Sequence, residues 1–348
     1  MMAISLEHIS QAPNRRRAGL SPLLALVVLG VLVFFVGVAS VFIVPPKVMV
    51  GGSAITVSPV TTGVVMTPEI DSPATVRLDL NSSWRTDPIW YDGKAEYLVY
   101  DAIRPIYGKD RHYEAVLITN KQQMDPKTTT KSADWQAPGQ VEVFKHNLRE
   151  VIPTENYVYK YLTTAFVRTD NLQPFKLTMS SQEDCGATFK HFVADGSRVK
   201  VDSFVYFPDG GPKHIEYAEP GGMQFEDDLS LALRGYPFEN PPKEAMVLGV
   251  VPDQTLTHAT PPVPIQSRIL FQGKETLDLP IGTVEAYKLQ VVIDGGDDAD
   301  IPGGREATYW FAADGGSEWL HMMVKYDGPF GVKYELKSKK RWDYWVRR

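Results

Sequence analysis

The stretch TVEAYKLQVVI, residues 283–293, decides the fold. Tyr287, Leu289, Val291 and Ile293 recur at every second position. A period of two sends successive side chains to opposite faces of an extended chain, so this segment reads as a strand with one buried face. The pattern spreads outward. WLHMMVKY (319–326) aligns Leu320, Met322, Val324 and Tyr326, and GVKYELKS (331–338) aligns Val332, Tyr334 and Leu336 against Lys333, Glu335 and Lys337. REATYWFA (305–312) lies between them. The spacers DGGDDADIPGG, ADGGSE and DGPF are rich in Gly, Asp and Pro, the chemistry of tight turns. Sequential strands joined in this way form an antiparallel meander.

Towards the N-terminus the same alternation places Val199, Val201 and Val205 on one face and Phe204 and Tyr206 on the other. TVRLDL (75–80) aligns Val76, Leu78 and Leu80. One segment breaks the rule. In FEDDLSLALRGYPF (225–238), Leu229, Ala232, Leu233 and Tyr236 follow the helical spacing i, i+3, i+4, i+7, with Glu226, Asp227 and Asp228 at the N-terminal end. A short amphipathic helix of this kind is expected to lie over a sheet or plug a barrel mouth. The chain is therefore expected to be mainly β: an antiparallel open-barrel or half-barrel domain with one short amphipathic helix, preceded by a transmembrane helix.

That transmembrane helix is read from residues 21–44, which carry no charge and follow Arg15, Arg16 and Arg17. As a helix, 24 residues span about 36 Å, enough to cross a bilayer with some tilt. A cleaved signal peptide would have an apolar region of only about 7–15 residues. The arginines favour a cytoplasmic N-terminus. The expected organisation is a cytoplasmic tail at 1–20, the anchor at 21–44, a juxtamembrane linker at 45–74, a β-rich first half at 75–240, a Pro-rich connector at 241–264 and a meander completing the barrel at 265–348. The expected location is the inner membrane, with the C-terminal domain in the periplasm.

Net charge is −6, and residues 1–44 hold three Arg against one Glu, so the remainder is more acidic still. Such a domain is a poor neutraliser of phosphates, which argues against nucleic acid. With 43% apolar and 22% charged residues the chain can build a sizeable core. Its one cysteine allows no internal disulfide.

Two segments resemble known families. WYDGKAEYLVYDAIRPIYGKDRHYEAVLITNKQQMD (90–125) and TENYVYKYLTTAFVRTDNLQPFKLTMSSQEDCGATFKH (154–191) resemble uncharacterised exported bacterial proteins with an SSQEWCG-type motif, some labelled septum-formation inhibitors. Ser181, Gln182, Glu183, Cys185 and Gly186 match that signature, and Asp184 stands where the family has Trp. Residues 265–340 look like periplasmic domains of unknown function with an open β-barrel similar to the lipoprotein carriers LolA and LolB. Neither resemblance implies an agreed activity.

Candidate chemistry is sparse. A catalytic thiol needs a base within hydrogen-bond reach. If residues 183–191 form one strand, Cys185 and His191 lie about 20 Å apart, so Cys185 reads as a small structural residue in a core strand, with Gly186 as a bend. The histidines show no HxH or HExxH spacing, no metal centre is expected, and no cofactor is implied. Asp294, Asp297, Asp298 and Asp300 could hold calcium only weakly, and a solvated loop is the simpler reading. No nucleophile elbow, P-loop or dinucleotide fingerprint is present, so the chain does not read as an enzyme.

The aromatic segments are more suggestive. Tyr157, Tyr159, Tyr161, Tyr309, Trp310 and Phe311, with Leu229 and Leu233 of the helix, are candidate walls of a ligand cavity. The expected function is thus a membrane-anchored binding domain for a lipid or other apolar small molecule. The alternative is an interaction subunit of an envelope assembly with a protein partner, and a thiol-dependent hydrolase is the minority reading.

Overall fold

The computed structural model describes residues 49–50, 53–54, 83–208, 210–219, 221–255, 262–294 and 305–346. The expected tail at 1–20, the transmembrane helix at 21–44 and the strand at 75–80 lie outside the described residues. Among the described residues no helix is long and apolar enough to cross a membrane. Inside the expected linker, β1 (Met49–Val50) and β2 (Ser53–Ala54) pair as a small antiparallel hairpin in a unit of their own.

Among its described residues, the larger unit is one open sheet of sixteen strands. Its first wing runs outward through β3 (Ala95–Ile106), β4 (Lys109–Asp125), β6 (Val141–Pro153), β7 (Val158–Arg168), β8 (Pro174–Glu183), β9 (Gly186–Ala194), β10 (Arg198–Val205) and β11 (Gly211–Ala218), with the short β5 (Thr130–Lys131) beside β4. The second wing holds β12 (Met223–Phe225), β13 (Met246–Val251), β14 (Ile265–Leu279), β15 (Gly282–Ile293), β16 (Arg305–Ala312), β17 (Met323–Asp327) and β18 (Lys333–Trp342). β18 pairs antiparallel with β3, Tyr334 opposite Ala102, and joins the wings. Among the described strands only β12 and β13 pair in parallel. Phe225 of β12 packs edge-on against Phe192 of β9 at 5.1 Å, so the sheet curls until its outer strands meet across the core.

Burial follows the period of two. On β3 the inward residues are Glu96, Leu98, Tyr100, Ala102 and Arg104. On β15 they are Leu289, Val291 and Ile293, with Tyr287 partly buried on the same parity. Before β3, Trp84 stacks on Phe144 at 5.3 Å and Trp90 meets the same ring edge-on at 5.1 Å, anchoring two single-turn 3-10 segments to the inner face.

The structure corrects several local expectations. The helix is short: an α-turn, α1 (Leu229–Ala232), sits between 3-10 turns at Glu226–Asp228 and Leu233–Gly235. It is not a surface helix with one wet face. Leu229, Leu231, Ala232, Leu233 and Arg234 are all fully buried, because the curled sheet surrounds it and the Arg234 charge is met by Glu96. The expected connector contains a strand, β13. The expected strand from 319 begins only at Met323, because Leu320 and His321 take positive φ in the preceding turn.

Residues 183–191 are not one strand. β8 ends at Glu183 and β9 starts at its partner Gly186, so Asp184 and Cys185 form a two-residue turn. Cys185 is exposed rather than buried in a core strand.

Candidate functional site

Inside the curl lies a cavity of about 810 Å³. Its walls come from inward positions of β3, β4, β6 and β7 on one side and β16, β17 and β18 on the other. The start of the buried helix (Glu226, Asp227, Ser230) and the chain after β13 (Asp253, Thr255) close it from within. Alternation puts the lining residues there: Tyr159 and Tyr161 share a face of β7, and Arg305 and Tyr309 share a face of β16.

The cavity changes character with depth. At its mouth, Tyr107 and Phe330 are 68% and 72% exposed, and Pro105, Ile106 and Phe207 are adjacent. Tyr107 hydrogen-bonds with Tyr157 (2.6 Å) and Tyr159 (2.5 Å), linking three phenols at the rim. Further in, the lining is charged. Arg104, 7% exposed, donates to both oxygens of the fully buried Glu150 at 3.1 Å. The Tyr334 hydroxyl donates to the same carboxylate at 2.8 Å, and Tyr113 adds a further short hydrogen bond. Burial opposes the Arg104 charge, but Glu150 holds its pKa well above the ordinary value.

A second group surrounds Asp253. Arg305 reaches Glu226 at 3.4 Å, and Glu226 Oε2 accepts the Asp253 backbone N–H at 2.9 Å. Asp227 accepts from Thr255 Oγ1 at 2.8 Å and from the Gln254 backbone N–H at 3.0 Å. The environments drive these acids apart. Burial, then the nearby Asp253 charge, raises the pKa of Asp227 well above its ordinary value. Burial also lifts Glu226 to about 7, against the pull of Arg305. Burial works against the Asp253 charge as well, yet Arg104 and Arg305 outweigh it and keep its pKa below the usual value. Nearer the rim, burial pushes Glu183 up to about 7, and neither of its carboxylate oxygens meets a hydrogen-bond donor in good geometry.

Of the aromatic and aliphatic candidates, Tyr159, Tyr161 and Tyr309 line the cavity. Tyr157 stands at the rim, bonded to Tyr107 and to the Cys185 thiol at 3.4 Å. Phe311 is buried against Phe238 and Tyr309 outside the lining. Trp310 points to the other face of the sheet, between the Lys288 and Lys325 ammonium groups, with its indole N–H on Glu275. Leu229 and Leu233 pack in the core, and Ser230 is the part of that helix that reaches the cavity.

Of the signature residues, Glu183 lines the cavity, Ser181 is buried beneath it, Gln182 is exposed, and Gly186 opens β9. Asp294 pairs with Arg268 at 3.0 Å, and Asp297, Asp298 and Asp300 lie outside the described residues. Among the described residues no cluster of three or more His, Cys, Asp or Glu could hold a metal ion.

Arg104, Arg305, Asp227 and Asp253 were not candidates from sequence. A signal existed for two of them: Arg104 sits on the apolar parity of β3, and Arg305 shares the parity of Ala307, Tyr309 and Phe311. A charge on the buried parity of a strand requires a buried partner or a cavity.

One family matches the chain, described as "Protein of unknown function (DUF3108)", over residues 157–337. No curated protein and no solved structure matches it.

Proposed function

The chain belongs to the DUF3108 family of proteins of unknown function, and from that premise we propose that it is an extracytoplasmic binding domain, held at the membrane by residues 21–44, whose cavity takes a small amphipathic molecule. The cavity carries this reading. About 810 Å³ lies within the size range of small-molecule sites, and convergent polar groups in an aromatic enclosure are the usual means of orienting a ligand. A domain stabilised by packing alone would gain by filling such a space, because voids cost stability.

Native mass spectrometry of the gently extracted full-length chain tests the reading. A co-purifying small molecule, released on unfolding, is the expected result. A bare chain from every extraction condition, with no small molecule able to raise its melting temperature, would overturn it. Fractionation tests the anchor: deletion of residues 1–44 is expected to move the protein from the membrane to the soluble fraction.

An interaction subunit is the second reading, and one observation favours it. Leu162, Phe189 and Phe204 fall in one row across β7, β9 and β10, each 43–57% exposed on the outer face. An apolar row left in water suits a protein contact.

A further inference from the structure

Resting on that proposed binding role, we infer that the cavity takes its ligand polar end first, seating a hydrogen-bond-donating, non-anionic head against Asp227 and Asp253 and leaving the apolar body among Ile106, Tyr107 and Phe330 at the mouth. A carrier of apolar chains would present the reverse arrangement, apolar within and polar at the rim. Here the exposed entrance is aromatic and aliphatic, while Arg104 and Arg305 are each 7% exposed in the interior.

The sign of the head follows from how the charges are used. Arg104 is engaged by both oxygens of Glu150 and Arg305 by Glu226, and Asp253 lies in the field of both guanidinium groups. Each guanidinium group in the lining thus already faces a carboxylate, which makes it a poor seat for a further anion. Four carboxyl groups, those of Glu226, Asp227, Asp253 and Glu183, line the cavity beside these two arginines. An anionic head would meet guanidinium groups already engaged by carboxylates and would oppose the charge on Asp253.

Asp227 and Asp253 both keep accessible surface although they lie deep in the fold, and both line the cavity. Without a ligand, burial and the Asp253 charge favour a proton on Asp227. An ammonium or hydroxyl donor placed between the two carboxyl groups does the same work, and an ammonium lets both ionise. Seven tyrosines in the lining give the aromatic enclosure that suits either kind of donor-bearing head.

The test uses the full-length chain and three probes that share a body and differ in the head: phenylbutylamine, phenylbutanol and phenylbutyrate, titrated calorimetrically at neutral pH. The amine and the alcohol are expected to bind at least about tenfold more tightly than the carboxylate. The amine alone is expected to release protons, seen as a heat that depends on the buffer, which separates the two donor types. Asp253→Asn keeps the acceptor for the Thr255 N–H but removes the charge between the arginines, and is expected to narrow or reverse the ranking in favour of phenylbutyrate. Phe330→Ala, at the mouth, is expected to weaken all three by a similar factor.

Equal affinity for the three heads, tightest binding of phenylbutyrate, or a ranking that Asp253→Asn leaves intact would overturn the inference while leaving a binding cavity in place. If none of the probes binds, the inference fails, and the binding role is decided separately by the native mass spectrometry of the extracted chain.

Discussion

Arg234 and Glu96 form a two-pronged ion pair in the core, Nη2 to Oε1 at 2.6 Å and Nη1 to Oε2 at 3.0 Å, with both side chains almost entirely out of water. The pair ties the end of the buried helical segment to β3, and the guanidinium also lies over Trp84 at 5.7 Å. A buried pair offsets its own desolvation only while both partners remain. Arg234→Met is therefore expected to destabilise the domain by about 3–5 kcal/mol, by stranding Glu96. The double variant Arg234→Met/Glu96→Leu should recover most of that loss. Urea unfolding of the wild type and the two variants measures both.

Acid sensitivity has an assignable contributor in His146. Its ring bonds Thr119 Oγ1 at 2.7 Å and Ser230 Oγ at 2.8 Å, and burial, then Arg234, lowers its pKa to about 3. The folded state thus refuses a proton that the unfolded chain accepts near pH 6.5. The stability linked to this group is intact above pH 6.5 and is lost as the pH falls from there towards 3. Between pH 7 and 5 the loss amounts to about 2 kcal/mol. Glu226 and Asp227, whose pKa values are raised, act in the opposite direction, so the comparison must be with His146→Asn rather than with the wild type alone. Unfolding curves at the two pH values should fall further for the wild type than for the variant.

Cys185 lies in a solvent-exposed turn, so iodoacetamide should label it in the folded protein about as readily as in urea. Cys185→Ser is expected to change stability by less than about 0.5 kcal/mol, as for other exposed positions. Mass spectrometry of the labelled chain decides between this placement and a core-strand cysteine, which would react only after unfolding.

Trp310 and Tyr309 are adjacent in sequence yet lie on opposite faces of β16, and ligand binding should separate them. Tyr309→Phe, which removes one hydroxyl from the cavity, is expected to weaken a bound ligand by about 1 kcal/mol. Trp310→Phe should leave affinity unchanged while loosening the Lys288–Trp310–Lys325 stack. Thermal shift with and without ligand reads both effects.

Much of this fold was legible in the chain because strands with one wet face write their burial as alternation, and Tyr287 to Ile293 does so plainly. Other features were not local. The β18–β3 pairing joins Tyr334 to Ala102 across most of the chain, and no short segment records which strand will be its neighbour. The helical stripe at Leu229 and Leu233 was correctly periodic but said nothing of Leu231 and Arg234, which are buried because the sheet closes around them.

The site was half legible. Alternation in YWF implies that Tyr309 and Phe311 share a face that Trp310 cannot, so the aromatic run does not act as a unit. Asp227 looked like a helix-end charge and Asp253 like part of a connector. Only the tertiary fold brings them together through Thr255.

If the interior is a binding space rather than a packing defect, filling it must abolish binding. In the double variant Leu148→Trp/Val332→Trp two indoles enter the cavity from opposite walls. Nile red fluorescence, titrated against the wild type and this variant in the same medium, is the measurement. Saturable enhancement is expected with the wild type, and its loss is expected in a variant that remains folded. Identical titrations for the two proteins would contradict a binding space.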